Sequence, residues 1–143
     1  LSSWAMADAA GDYETLFGQD EKAAVRNPAV SPEFAAKLFD SAKSAKGQKD
    51  LQALLCDKAY EFGIKTPAGY QTAGDAMKFL IETRPDKKVE AKEKYLKVQQ
   101  LRYARSAKRD EKEKSGQELM ELLLDYRPEH YLERISYVHL FRQ

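Results

Sequence analysis

The strongest restriction on the fold is a segment that occurs twice, 43 residues apart. MKFLIETRP, starting at Met77, aligns with MELLLDYRP, starting at Met120, so Met77 matches Met120 and Arg84-Pro85 matches Arg127-Pro128. One helix earlier, Tyr60 matches Tyr103 at the same offset. Phe34, Leu38 and Phe39 echo Ala76, Leu80 and Ile81 more loosely, at an offset of 42. A two-helix unit that recurs at this interval cannot bury its own apolar face, so the pattern implies stacked hairpins.

The best-defined unit is 51–83. Leu51, Leu54, Leu55, Ala59 and Phe62 recur at three- and four-residue steps in its first arm. Tyr70, Ala73, Met77, Leu80 and Ile81 do so in its second, and both arms therefore read as amphipathic helices. Gly63 takes the position of a helix C-terminal glycine, and Thr66-Pro67 that of a cap and first helical residue.

Before this hairpin, Ser31-Pro32-Glu33 predicts a helix start, running to about Ala45 and ending near Gly47, with Asp50 as a cap for the next helix. Residues 12–25 predict a short helix interrupted at Gly18, or two helical turns, buried through Tyr13, Leu16 and Phe17. Residues 1–11 are expected to be a flexible segment, and 12–143 a single helical domain.

After the hairpin, the stretch from Asp86 to about Ala107 lacks Pro and Gly and predicts the longest helix, buried along Val89, Leu96 and Tyr103 and widened by Tyr95, Val98 and Leu101. Another is expected over Asp110–Tyr126. The tail 129–143 combines a helical spacing of Tyr131, Leu132, Ile135 and Val138 with a β-prone ISYVHLF run; helix is the reading adopted.

Composition agrees. Alanine, leucine, lysine and glutamate dominate a chain that is 43% apolar and 33% charged, the balance of a folded helical protein. Its 143 residues suffice for one core without metal or disulfide. The net charge is +1, but residues 1–36 carry −4 and residues 84–114 carry +6. No run is long and apolar enough for a transmembrane helix. Ala5-Met6-Ala7 has the form of a signal-peptidase site without the rest of a signal peptide, which fits an export remnant, a domain start or a chain boundary.

The repeated hairpins resemble the tetratricopeptide-like helical superfamily. More closely, DYETLFGQDEKAAV, FAAKLFDSAKSA and LQALLCDKAYEFGIKTPAGYQTAGDAM resemble poorly characterised helical-repeat proteins exported by planctomycete-type bacteria. The likeness spans about residues 12–127. It implies an all-α, right-handed stack of antiparallel hairpins, five to seven helices in all, that mediates contacts, and the exported proteins it resembles point to a place outside the cytoplasm. It brings no catalytic residues. A regular tetratricopeptide array repeats every 34 residues or so, which departs from the spacing here.

Chemistry is sparsely represented. His130 and His139 are the only histidines and Cys56 the only cysteine. The absence of an HExxH motif, a Cys/His cluster or an EF-hand loop argues against a dedicated zinc or calcium site, and the glycine that a nucleophile elbow requires is missing. Cys56, among Leu54, Leu55 and Ala59, reads as a small buried hydrophobe. Glu90 with Glu93, and Glu118 with Glu121, read as exposed acids balanced by Lys92, Lys94 and Lys97.

The expected function is a non-enzymatic protein- or peptide-binding scaffold without metal or cofactor. Tyr70, Arg102, Arg105 and Tyr126 are candidate partner contacts, because tyrosine and arginine are the usual interface anchors. The alternatives are a structural or self-assembly domain, or a weak nucleic-acid binder using the basic region 97–109 (Lys97, Arg102, Arg105, Lys108 and Arg109) with Tyr95 and Tyr103 as stacking rings.

Overall fold

A computed structural model describes residues 2–105 and 109–126, with side chains from residue 8 onward except at 109–111, 115 and 123–126. Arg127-Pro128, the tail 129–143, Lys108, His130 and His139 lie outside the described residues, as does the reading of that tail. Six α-helices are present: α1 (Ser2–Arg26), α2 (Ser31–Ser44), α3 (Lys49–Gly63), α4 (Tyr70–Thr83), α5 (Lys88–Arg105) and α6 (Arg109–Tyr126). The fold is all-α, with stacked antiparallel hairpins and no strand among the described residues.

Proline starts three of the helical segments. Asn27, Thr66 and Arg84 are extended, as residues before proline tend to be. Pro28, Pro67 and Pro85 then open single 3-10 turns that feed directly into α2, α4 and α5, using the preset φ and the missing N–H of proline at a position where no partner is needed. The expected caps differ. Ser31 is not a cap but the first residue of α2, fully buried with its hydroxyl unpaired, and the cap is Asn27, whose Oδ1 accepts the Ala29 N–H at 3.3 Å. Thr66 makes no side-chain capping bond.

The repeat is confirmed in kind, and its structural step is shorter than the sequence interval. Tyr60 and Tyr103 are both buried, on α3 and α5, while Met77 is buried on α4 and Met120 half-buried on α6. Helix starts, however, lie 39 residues apart: Ser31 and Tyr70 for α2 and α4, Lys49 and Lys88 for α3 and α5. The difference from 43 is about one helical turn of roughly 3.6 residues, so both registers put the same face inward.

The helices form two layers. α1 lies against α3, and α2 lies against α4; α3 fits between α2 and α4, and α5 between α4 and α6. Phe34 on α2 meets Phe62 on α3 edge-on at 4.8 Å between centroids, and Phe39 meets Phe79 on α4 at 6.0 Å. Leu38, Leu55, Met77 and Leu80 fill the core beneath them. Each large apolar side chain buried in this way contributes about 1.5–3 kcal/mol.

An ionic ladder ties the odd-numbered helices together. Lys58 on α3 reaches Glu21 on α1 at 3.3 Å, and Lys94 on α5 reaches Asp57 on α3 at 3.1 Å. Each lysine also sits over a tyrosine ring, Tyr13 at 5.4 Å and Tyr60 at 5.5 Å. The residues belong to acid-lysine pairs, Glu21-Lys22, Asp57-Lys58 and Glu93-Lys94, spaced by 36 residues. Partly exposed pairs of this kind contribute about 1 kcal/mol or less, so they set register while the apolar core supplies stability.

Further expectations are corrected. α1, predicted as a short helix over 12–25, runs from Ser2 to Arg26 through Gly18 without a break, and its 25 residues make it longer than the 18-residue α5, the predicted longest helix. One interior glycine costs about 1 kcal/mol, which a long helix absorbs. Leu16 and Val89, assigned to buried faces, are 62% and 65% exposed. On α5 the inward stripe is Ala91, Tyr95, Val98, Gln99 and Tyr103, a rotation that brings small Ala91 inward and leaves β-branched Val89 outside. Gly63 is not a left-handed cap; among the described residues only Gly47, after α2, has a positive φ, at 84°. Instead Gly63 lets two backbones touch. A Cβ on it would lie 2.8 Å from the Gly69 carbonyl oxygen, and one on Gly69 would lie 2.7 Å from the Gly63 Cα.

The other end of that hairpin is held by Arg84. Its guanidinium donates to the Lys49 carbonyl at 2.8 Å, and to both Asp86 carboxylate oxygens at 2.8 and 2.9 Å. The end of α4 is thereby fastened to the start of α3. The bond from Arg84 holds the exposed Asp86 carboxyl down at about 2.

Two measurements follow. Gly69→Ala forces backbone apart and is expected to lower stability by about 1–3 kcal/mol or more in urea unfolding. Gly74→Ala, whose Cβ would meet Tyr95 at an ordinary 3.5 Å, is expected to be neutral or to stabilise by up to about 1 kcal/mol. Asp86 has a folded-state pKa below its unfolded value, so its contribution is present above about pH 4 and lost as pH falls toward 2. Asp86→Asn should therefore flatten the acid limb of the stability curve in that window and leave the alkaline limb unchanged.

Candidate functional site

An open groove of about 880 Å³ lies where α1 diverges from α2. α1 turns its inner side toward α3 and touches α2 sparingly, so a channel is left along the α1–α2 seam. Phe17, Leu51 and Leu55 line its base and are buried. Leu16 stands on the α1 rim, and Ala36 is exposed on the α2 side. The apolar character follows from a helix stripe wider than its partners cover.

The rim is polar and internally paired. Lys37 forms an ion pair with Asp20 across the seam and lies 5.9 Å from the Phe17 ring centre. Asp40 pairs with Lys43 at 2.8 Å. The Ser41 and Ser44 hydroxyls donate to the Lys37 and Asp40 carbonyls at 2.9 and 3.1 Å, leaving their oxygens able to accept. Gln52 donates to the Ala42 carbonyl at 2.8 Å and fixes α3 under α2. The groove is therefore preformed on three braced helices. It can hold an apolar side chain flanked by polar groups.

Neither histidine nor cysteine lines the groove. Cys56 is fully buried on α3, and burial, with Asp57 second, pushes its thiol up to about 12, so it stays protonated and unreactive at neutral pH. Among the described residues no cluster of three or more His, Cys, Asp or Glu is placed to hold a metal ion. Glu90 pairs with Lys94 at 3.0 Å, and that bond holds its carboxyl below the usual range. Glu118 and Glu121 border a smaller hollow of about 350 Å³ with Lys78, Tyr95 and Leu122.

The sequence-derived contact residues lie elsewhere and do not converge. Tyr70, half-buried, opens α4, and Arg102 and Arg105 occupy the last turn of α5. Because α4 and α5 are antiparallel neighbours, these three share one end of the stack. Tyr126 ends α6, at the opposite end of the α5–α6 hairpin. Tyr95 and Tyr103 do not offer rings for base stacking, because both are buried, with Lys78 over the first at 5.4 Å and Lys112 over the second at 5.2 Å.

Sequence reasoning missed Leu16, Ala36 and Lys37. Leu16 was hidden by its neighbours: with Tyr13 and Phe17 it completes a helical stripe, and only the divergence of α2 leaves it exposed. Among the described residues no helix is long and apolar enough to cross a membrane. Compared with known proteins, the chain matches no family model, no curated protein and no solved structure.

Proposed function

We propose that this chain is a non-enzymatic scaffold that holds a segment of a protein partner in the α1–α2 groove. The observation that carries this reading is the exposed Leu16 beside a preformed apolar base of Phe17, Leu51 and Leu55. A partner segment lays one apolar side chain over Leu16 and meets the serine oxygens and the Lys37–Asp20 and Lys43–Asp40 pairs with its polar groups. Since the groove is braced by α2–α3 packing before any partner arrives, little conformational freedom is lost on the scaffold side. The stacked-hairpin architecture supports the same reading, as such folds present extended surfaces.

Selection of peptides from a displayed library against the purified chain, followed by amide chemical-shift mapping, tests this. Selected peptides should perturb residues of α1 and α2 around Leu16 and Ala36. Leu16→Asp should weaken them by about tenfold or more, the equivalent of about 1.4 kcal/mol and within what burial of one leucine side chain is worth. Its melting temperature should stay at the wild-type value, because the side chain is already exposed. Binding that maps elsewhere, or survives Leu16→Asp unchanged, contradicts the proposal.

A further inference from the structure

The flank of α1 that faces away from the other helices carries a second pattern. A shallow depression of about 260 Å³ there is lined only by α1 residues, among them Glu14, Gly18, Lys22 and Val25. Val25 is 60% exposed, one of three exposed large hydrophobic residues among those described. Lys22 makes no ion pair with any described residue. It is the α1 counterpart of Lys58 and Lys94, each of which reaches back to an acid on the preceding odd-numbered helix. On α1 no preceding odd-numbered helix is described to supply that acid; the acids beside Lys22, Glu14 and Glu21, lie on α1 itself, and Glu21 is paired with Lys58.

We propose that a second copy of this chain covers the flank, the two α1 helices packing antiparallel about a two-fold axis at Gly18. The pattern is self-complementary in that arrangement. Glu14 and Lys22 lie four residues before and after Gly18, so each Glu14 faces the Lys22 of the other copy. Gly11 and Val25 lie seven before and after, so each Val25 packs over a Gly11, beside which there is open space. At the axis, Gly18 faces Gly18; it is buried beneath the flexible Glu14 side chain, and when that side chain turns toward Lys22 of the other copy the glycine allows the backbones to approach. All five positions fall within one stripe, since steps of four and seven residues return to nearly the same face of a helix of about 3.6 residues per turn. An isologous contact of this kind closes at two copies. Parallel pairing would set Lys22 against Lys22 and Glu14 against Glu14, and like charges at that range repel. Charge complementarity therefore selects the antiparallel pair.

The interface is independent of the α1–α2 groove, as Leu16 points to the other side of α1. Sedimentation equilibrium of the full chain over a range of concentrations tests it. A monomer–dimer equilibrium is expected. Lys22→Glu should weaken it by about tenfold or more, as close charge pairs across an interface do. Glu14→Lys combined with Lys22→Glu should restore it, because the reversed charges face each other again. Val25→Asp should weaken it without lowering helix content, and Leu16→Asp should leave it unchanged. A chain that stays monomeric throughout, or a dimer indifferent to Lys22→Glu and Val25→Asp, overturns the proposal. So does a double charge reversal that fails to restore association while helix content and melting temperature are retained.

Discussion

The stack depends on the contact between Gly63 and Gly69. α3 must end and α4 must begin within six residues, with the two helices close enough for Phe62, Ala73 and Met77 to share one core. That is achieved by backbone lying on backbone, at a distance where a single methyl group would collide with a carbonyl oxygen or a Cα. Pro67 supplies the sharp entry into α4, and Arg84 closes the opposite end on the Lys49 carbonyl. With this central hairpin fixed at both ends, α2 and α5 pack on its two sides and α1 and α6 extend the layers.

Much of this was legible in the residues. Periodicity located α2 to α6 because apolar spacing reports the buried side directly, and Arg-Pro and Thr-Pro marked their boundaries. What was not legible is instructive. Gly63 looked like a cap because a glycine after an apolar run usually is one; only the three-dimensional path shows that its missing side chain matters through Gly69. The interval of 43 was read from matched side chains, whereas the helix starts repeat at 39, and sequence alone cannot separate registers that differ by about a turn. Leu16 and Val89 obeyed helical spacing and are nonetheless exposed. Periodicity gives a face, and whether a neighbour covers that face is a tertiary fact. The groove was invisible for the same reason. The ladder did leave a trace, the acid-lysine pairs every 36 residues, but such dipeptides are common in a chain one-third charged.

Stability and specificity rest on different groups. Fully buried Leu38, Leu55, Met77 and Leu80 lie in the apolar interior and outweigh the partly exposed ion pairs several-fold on ordinary magnitudes. The pairs nonetheless fix which helix lies beside which: Lys58 has its acid on α1, and Lys94 has its acid on α3. Offset packing of two amphipathic helices would keep much of the apolar burial but separate these charges. The same division extends to the surface, where the groove offers apolar area near Leu16 and the outer flank of α1 offers a charge pattern.

The layered register is tested most directly by side-chain nuclear Overhauser contacts in solution. The account predicts cross-peaks from the Tyr13 ring to the Lys58 methylenes and from the Tyr60 ring to the Lys94 methylenes, joining α1 to α3 and α3 to α5. Cross-peaks from Tyr13 to α5 with none to Lys58, or the absence of both predicted sets in a folded chain, would contradict the arrangement on which everything else is built.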